Sequence, residues 1–116
     1  MKIISLTDSL SEYHSYWIRI GQYMEVLKNR HGILITDEAN VIEDMKADDI
    51  LILYRHKTIW GDISTELRRA RRKGIKIISD VDDYLWYDGE QRGWNKTRLR
   101  NYTRALKECN IITCTL

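Results

Sequence analysis

Five short runs of β-branched and aliphatic residues recur along this chain, set apart by helical or turn-forming stretches. They are Lys2-Ile3-Ile4-Ser5-Leu6, Ile33-Leu34-Ile35-Thr36, Ile50-Leu51-Ile52-Leu53-Tyr54, Ile75-Lys76-Ile77-Ile78-Ser79 and Ile111-Ile112-Thr113-Cys114-Thr115-Leu116. Short apolar runs of this kind form strands. The third is apolar at every position, which suits a strand covered on both faces. Segments of this length between strands make crossovers rather than hairpins, so the strands pair in parallel. The fold expected is therefore α/β: a three-layer, Rossmann-like domain with a five-stranded parallel sheet. Right-handed crossovers reduce the possible topologies to a few, and the expected strand order is 3-2-1-4-5.

The intervening segments agree with that layout. Tyr13, Trp17, Ile20, Met24 and Leu27 share one face of a helix over residues 12–30. His31-Gly32 ends it, with Gly32 expected in the left-handed cap conformation. Residues 37–46 read as a loop with one helical turn around Val41, Ile42 and Met45. Asp62 looks like the cap of a helix whose apolar stripe is Ile63, Leu67 and Ala70. Its arginines and Lys73 gather late, where they suit the negative end of the helix dipole, and Gly74 closes it. A last helix runs from Lys96 to Glu108 on Leu99, Tyr102 and Leu106.

A chain of 116 residues fits one domain over residues 1–116. It carries 19 basic against 17 acidic residues, a net charge of +2. That balance does not point to nucleic acid. No stretch reaches the roughly 18–20 apolar residues of a membrane span, and the start is too short and polar for a signal peptide. A cytoplasmic setting is expected, with Cys109 and Cys114 as reduced thiols buried on or beside the last strand.

Ligands of open α/β sheets bind beyond the carboxyl ends of the strands, where strand order reverses. In the expected order that point lies between strands one and four. The candidate rim is therefore Thr7 and Asp8 after strand one, Arg55 and His56 after strand three, and Asp80, Asp82, Asp83, Tyr84 and Tyr87 after strand four. Three carboxylates in Asp80-Val81-Asp82-Asp83 repel one another. A cation, a sugar hydroxyl, backbone amides or Arg55 would offset this; the plainer alternative is that the acids cap the next segment and hold the loop. No His or Cys stands at ligand spacing, so no metal site is expected. Tyr84 and Tyr87 offer faces for a sugar or a partner, while Leu85 and Trp86 read as anchors of the loop. Arg55-His56-Lys57 suits an anion or, more plainly, a solvated loop. The basic run 68–73 reads as a solvated helix face. Leu6-Thr7-Asp8-Ser9-Leu10-Ser11 lacks the glycines of a phosphate-binding loop, and no cofactor is expected. His14, His31 and His56 are isolated, and neither cysteine has a visible base.

The run Lys76-Ile77-Ile78-Ser79-Asp80-Val81-Asp82-Asp83-Tyr84-Leu85-Trp86 resembles a segment in the amino-terminal half of bacterial glycosyltransferases built from two Rossmann-like domains. Asp49-Ile50-Leu51-Ile52-Leu53-Tyr54-Arg55 resembles their strand ending in Gln-Arg. Cys109-Asn110-Ile111-Ile112-Thr113-Cys114-Thr115 and Tyr16-Trp17-Ile18-Arg19-Ile20 resemble two further segments, in the same order. The resemblance implies an acceptor-side domain, with Asp80, Asp82, Asp83 and Arg55 bordering a cleft to a second domain that holds the nucleotide-sugar. The 116 residues do not include that second domain, so the chain is read as either a fragment of a longer enzyme or a short stand-alone derivative, and transfer by it alone is not expected. The rival reading is a small stand-alone binding protein, of phage or mobile-element origin, that regulates a host protein. A receiver-like signalling domain fits poorly, because the acids follow strand four rather than strands one and three.

Overall fold

The computed structural model of the chain describes residues 1–7, 22–28, 30–36, 38–54, 61–81 and 96–114. Along it run β1 (Ile3–Leu6), α1 (Gln22–Lys28), β2 (Ile33–Thr36), a 3-10 helix (Ala39–Asp44), β3 (Ile50–Tyr54), α2 (Ser64–Arg72), β4 (Lys76–Val81), α3 (Lys96–Lys107) and β5 (Ile111–Cys114). All four strand pairings are parallel. The α/β class and the five-stranded parallel sheet thus agree with the sequence-based expectation. The turn around Val41, Ile42 and Met45 is the 3-10 helix. Of the helix expected over 12–30, Gln22–Lys28 is helical, and residues 12–21 and 29 lie outside the described residues.

The strand order is β2-β1-β3-β4-β5, not 3-2-1-4-5. The reason lies in β3. Leu51, Leu53 and Tyr54 are fully enclosed; the order 3-2-1-4-5 would put this run at the sheet edge, with one backbone edge and much apolar surface in water. The observed order seats it in the middle. β2 takes the edge instead, where Leu34 remains 48% exposed. The reversal of strand order accordingly falls between β1 and β3, not between β1 and β4.

Alternation divides the sheet into two faces. Ile4, Leu6, Leu51, Leu53 and Ile77 point to the face covered by the 3-10 helix, α2 and α3, where Ile42, Met45, Leu67, Ala70 and Ala105 complete the main core. Ile33 and Tyr54 point to the other face, where Met24 and Leu27 of α1 pack against them with Ile3, Ile35 and Ile52. Helices on opposite faces are what right-handed crossovers in opposite directions from β1 and β3 demand.

Polar side chains set the register where backbone groups would otherwise go unpaired. Asp49, 4% exposed, accepts the Lys2 N–H at 2.8 Å and the Lys46 N–H at 2.8 Å, tying the start of β1 to the turn before β3. The Lys46 and Lys2 amides hold its carboxyl below the ordinary value of 3.8. At the other side of the sheet, Asn110 Oδ1 accepts the Ile77 N–H at 2.9 Å while its own N–H donates to the Ile77 carbonyl at 2.8 Å. One residue thus starts the β4–β5 ladder.

The N-cap of α2 is Ile63 rather than Asp62, whose Oδ1 instead accepts the Ser64 N–H at 3.0 Å and the Ser64 hydroxyl at 2.6 Å from one residue earlier. These Ser64 bonds hold the Asp62 carboxyl below its ordinary range. Gly74 closes the helix with φ +91°. Its N–H reaches the Arg71 carbonyl and the Ile75 N–H reaches the Ala70 carbonyl, both at 3.1 Å, the paired bonds of a left-handed helix stop. Gly32 does not take that conformation: among the described glycines only Gly74 has positive φ. The Arg30 and His31 N–H groups both turn back to the Leu27 carbonyl and end α1 before Gly32 is reached.

Candidate functional site

At the carboxyl rim, one layer of side chains on the α1 face is polar. Tyr54 of β3 stands beside Asp80 of β4, and Asp80 beside Thr113 of β5. Thr7, one step past Leu6, shares that face by alternation and is held there by its N–H, which donates to the Thr36 carbonyl at 2.9 Å. The four residues form a row across the ends of β1, β3, β4 and β5. Because β1 and β3 flank the reversal of strand order, the row starts at the point where open α/β sheets receive ligands.

Burial grades along the row. Thr7 and Tyr54 are at 0% exposure, Asp80 at 7%, and Thr113 is exposed. Solvent therefore reaches the row from the β5 side. A carboxylate this far from water is costly unless donors meet it, and the Thr113 hydroxyl donates to Asp80 Oδ1 at 2.7 Å. Below them on the same face lie half-buried Ile78 and exposed Ile111. The surface over β4 and β5 is thus a shelf with an apolar floor and a carboxylate–hydroxyl pair along its upper edge. Such a set presents carboxylate and hydroxyl oxygens as acceptors for O–H and N–H donors.

Of the residues expected at the rim, Thr7 and Asp80 are in this row. Asp8, Arg55, His56, Asp82, Asp83, Tyr84 and Tyr87 lie outside the described residues. Asp80 differs from expectation in one respect: it sits inside β4, which continues to Val81, rather than in a loop after Ser79. The strand can run through it because Thr113 supplies a donor from β5. Tyr54 and Thr113 were not singled out from sequence. Period-two alternation, carried across in-register parallel strands, is the signal that places them beside Asp80.

Both cysteines are free. Cys109 is half-buried and its Sγ donates to the Ala105 carbonyl at 3.4 Å. Burial, with a smaller contribution from Glu108, pushes its thiol up to about 11. Cys114 is exposed, contrary to expectation, because β5 is an edge strand whose residues are exposed on both faces. Among the described residues, no group of three or more His, Cys, Asp and Glu side chains gathers to hold a metal ion. No helix among them is long and apolar enough to cross a membrane.

A second concavity lies at the opposite, amino rim. It encloses about 400 Å³ between β1, β2 and the 3-10 helix, lined mainly by Ile4, Leu34, Val41 and Met45, with Lys2 and Asp44 at its border. Its lining is mostly apolar, with Lys2 and Asp44 as its charged members and no buried carboxylate among the described lining residues, so the carboxyl rim remains the better candidate. Comparison with protein-family models, curated proteins and solved structures gives no match.

Proposed function

We propose that this domain is a ligand-receiving module of the glycosyltransferase amino-terminal type, which takes a polyhydroxylated acceptor on the β4–β5 shelf and does not transfer a sugar by itself. The observation that carries the reading is Asp80: a carboxylate 7% exposed, at the carboxyl end of a parallel strand, paired with the Thr113 hydroxyl at 2.7 Å. Carboxylate–hydroxyl pairs meet the alternating donors and acceptors of a sugar ring well. The apolar floor of Ile78 and Ile111 suits the C–H face of the same ring. The sequence resemblance to acceptor-side domains supports the reading independently of this geometry.

Calorimetric titration of the chain with a series of neutral mono- and disaccharides and with UDP-glucose tests it. At least one saccharide is expected to bind saturably, with binding weakened about tenfold or more by Thr113→Val and by Asp80→Asn. Thr113 is exposed, so its variant keeps the test open if the Asp80 variant fails to fold. Absence of binding across the series, or binding indifferent to Thr113→Val, overturns the proposal.

β5 favours a second reading as a protein-binding module that regulates its partner. It is the last strand of the described sheet, with Ile111 54% and Ile112 48% exposed on opposite faces. An open edge of this kind can pair with a strand from another protein. Under this reading Ile112→Lys abolishes partner capture and leaves saccharide titrations silent throughout.

A further inference from the structure

The near-neutral charge of the whole chain conceals a strong segregation. Residues 62–73 and 96–108, which hold α2 and α3, carry ten cations against three carboxylates, Asp62, Glu66 and Glu108. Their net charge is +7, and since the chain as a whole carries +2, the remaining residues carry −5. Sequence alone separates the two basic segments by β4 and its following connection. The fold puts them side by side on one face of the sheet, joined by Arg68–Glu108 at 3.2 Å and Arg104–Asp62 at 3.1 Å. Between them runs a polar cleft of about 420 Å³, whose lining includes Ser64, Thr65, Arg104 and Lys107.

We infer that the α2–α3 face binds the phosphate backbone of double-stranded nucleic acid, without reading its sequence. Seven of the ten cations are arginine, whose planar fork matches phosphate oxygens in a way lysine does not. Nine of the ten are exposed. The first turn of α3 contains Lys96 and Arg98 and no acid, which opposes the preference of a helix start for negative charge. The helix dipole therefore does not explain Lys96, whereas a polyanion does. The three carboxylates do not neutralise the face. Arg72, Lys96, Arg100 and Lys107 form no ion pair with a described carboxylate, while the pairs from Asp62 and Glu108 brace the two helices against each other.

Two features separate duplex nucleic acid from lipid surfaces and single strands. Neither helix exposes a large apolar side chain, and a helix that docks on a lipid surface needs an apolar face to bury there. Nor does either expose an aromatic ring: Tyr102 is the single aromatic residue on the two helices and is 1% exposed. Proteins that hold single strands stack bases on such rings. What is left is contact with phosphates, the sequence-independent part of duplex binding. This face lies across the sheet from the β4–β5 shelf, so the inference does not depend on the saccharide reading.

Fluorescence anisotropy of a labelled 20-base-pair DNA duplex, titrated with the full chain between 50 and 200 mM salt, tests it; a duplex RNA of the same length and vesicles with and without phosphatidylserine are the other arms. Micromolar binding is expected at the low end. If four unpaired cations each meet a phosphate, log K falls with log salt at a slope of about −3.6. Arg72→Glu combined with Arg100→Glu, both exposed, should weaken binding at least tenfold, while Lys28→Glu, exposed on α1 across the sheet, leaves it within twofold. Stronger binding to RNA than to DNA keeps the inference and names the duplex. Lack of duplex binding at 50 mM salt, equal losses from Lys28→Glu, or capture by phosphatidylserine vesicles in place of duplex overturns it.

Discussion

Asp49→Asn isolates the side chain that holds β1 against β3. In the parent chain each carboxylate oxygen accepts one backbone N–H at 2.8 Å, from Lys2 and from Lys46. Asparagine keeps the shape but offers one oxygen and one NH2 group. One backbone N–H then faces another donor. Losing one hydrogen bond to a charged acceptor costs about 1.5–3 kcal/mol. Some water reaches this part-buried site, so a loss of about 2 kcal/mol is expected. Asp49→Ala removes both acceptors and should cost roughly twice as much. Urea denaturation followed by tryptophan fluorescence at pH 7 gives the change from the midpoint at constant slope. Agreement of parent and Asn variant within about 0.5 kcal/mol, below the range for one such bond, would refute the clamp. pH supplies a second check. The folded-state value of Asp49 lies below 3.8 because the Lys46 and Lys2 amides favour the anion. The parent's advantage is therefore complete above about pH 4, near the unfolded-state value, and is lost as pH falls through the folded-state value. A difference between parent and variant that persists undiminished to pH 2 contradicts this.

Glycine and cysteine variants probe two further features. Gly74→Ala should cost roughly 1 kcal/mol from the left-handed backbone, because φ is +91° while the added Cβ meets Ala47 Cβ at an ordinary 3.6 Å; Gly32→Ala, with nothing within 4 Å and no positive φ, should be near neutral. Equal effects in thermal melts would contradict the assignment of the helix stop to Gly74. Iodoacetamide at pH 8, mapped by peptide mass, should alkylate exposed Cys114 well before Cys109, whose thiol burial raises to about 11; the reverse order would show that Cys109 is not enclosed.

Strand identity was legible from sequence because each strand is a compact aliphatic run, and parallel pairing followed from the length of the segments between them. Strand order was not, because no local signal tells the chain on which side of β1 to place β3. The deciding term is global: Leu51, Leu53 and Tyr54 lose all contact with water only in the middle of the sheet. Reading polarity alone ended β4 at Ser79 and missed that Thr113, more than thirty residues away, lets Asp80 stay inside the strand. The same blindness to distant partners put Cys114 in the core when it lies on an edge. The basic run of α2 is a wet helix face as expected, and the cations of α3 come alongside it only once β4 is in place.

The most direct test of the rim as a binding surface is an amide-resolved NMR titration with the best-bound saccharide from the calorimetric series. Shifts are expected at Thr7, Tyr54, Asp80 and Thr113, and the amides of Lys2, Gly32 and Asp44 at the opposite rim should stay in place. Shifts confined to Lys2, Gly32 and Asp44, or no shifts at all, would contradict the assignment of ligand binding to the carboxyl ends of β1, β3, β4 and β5.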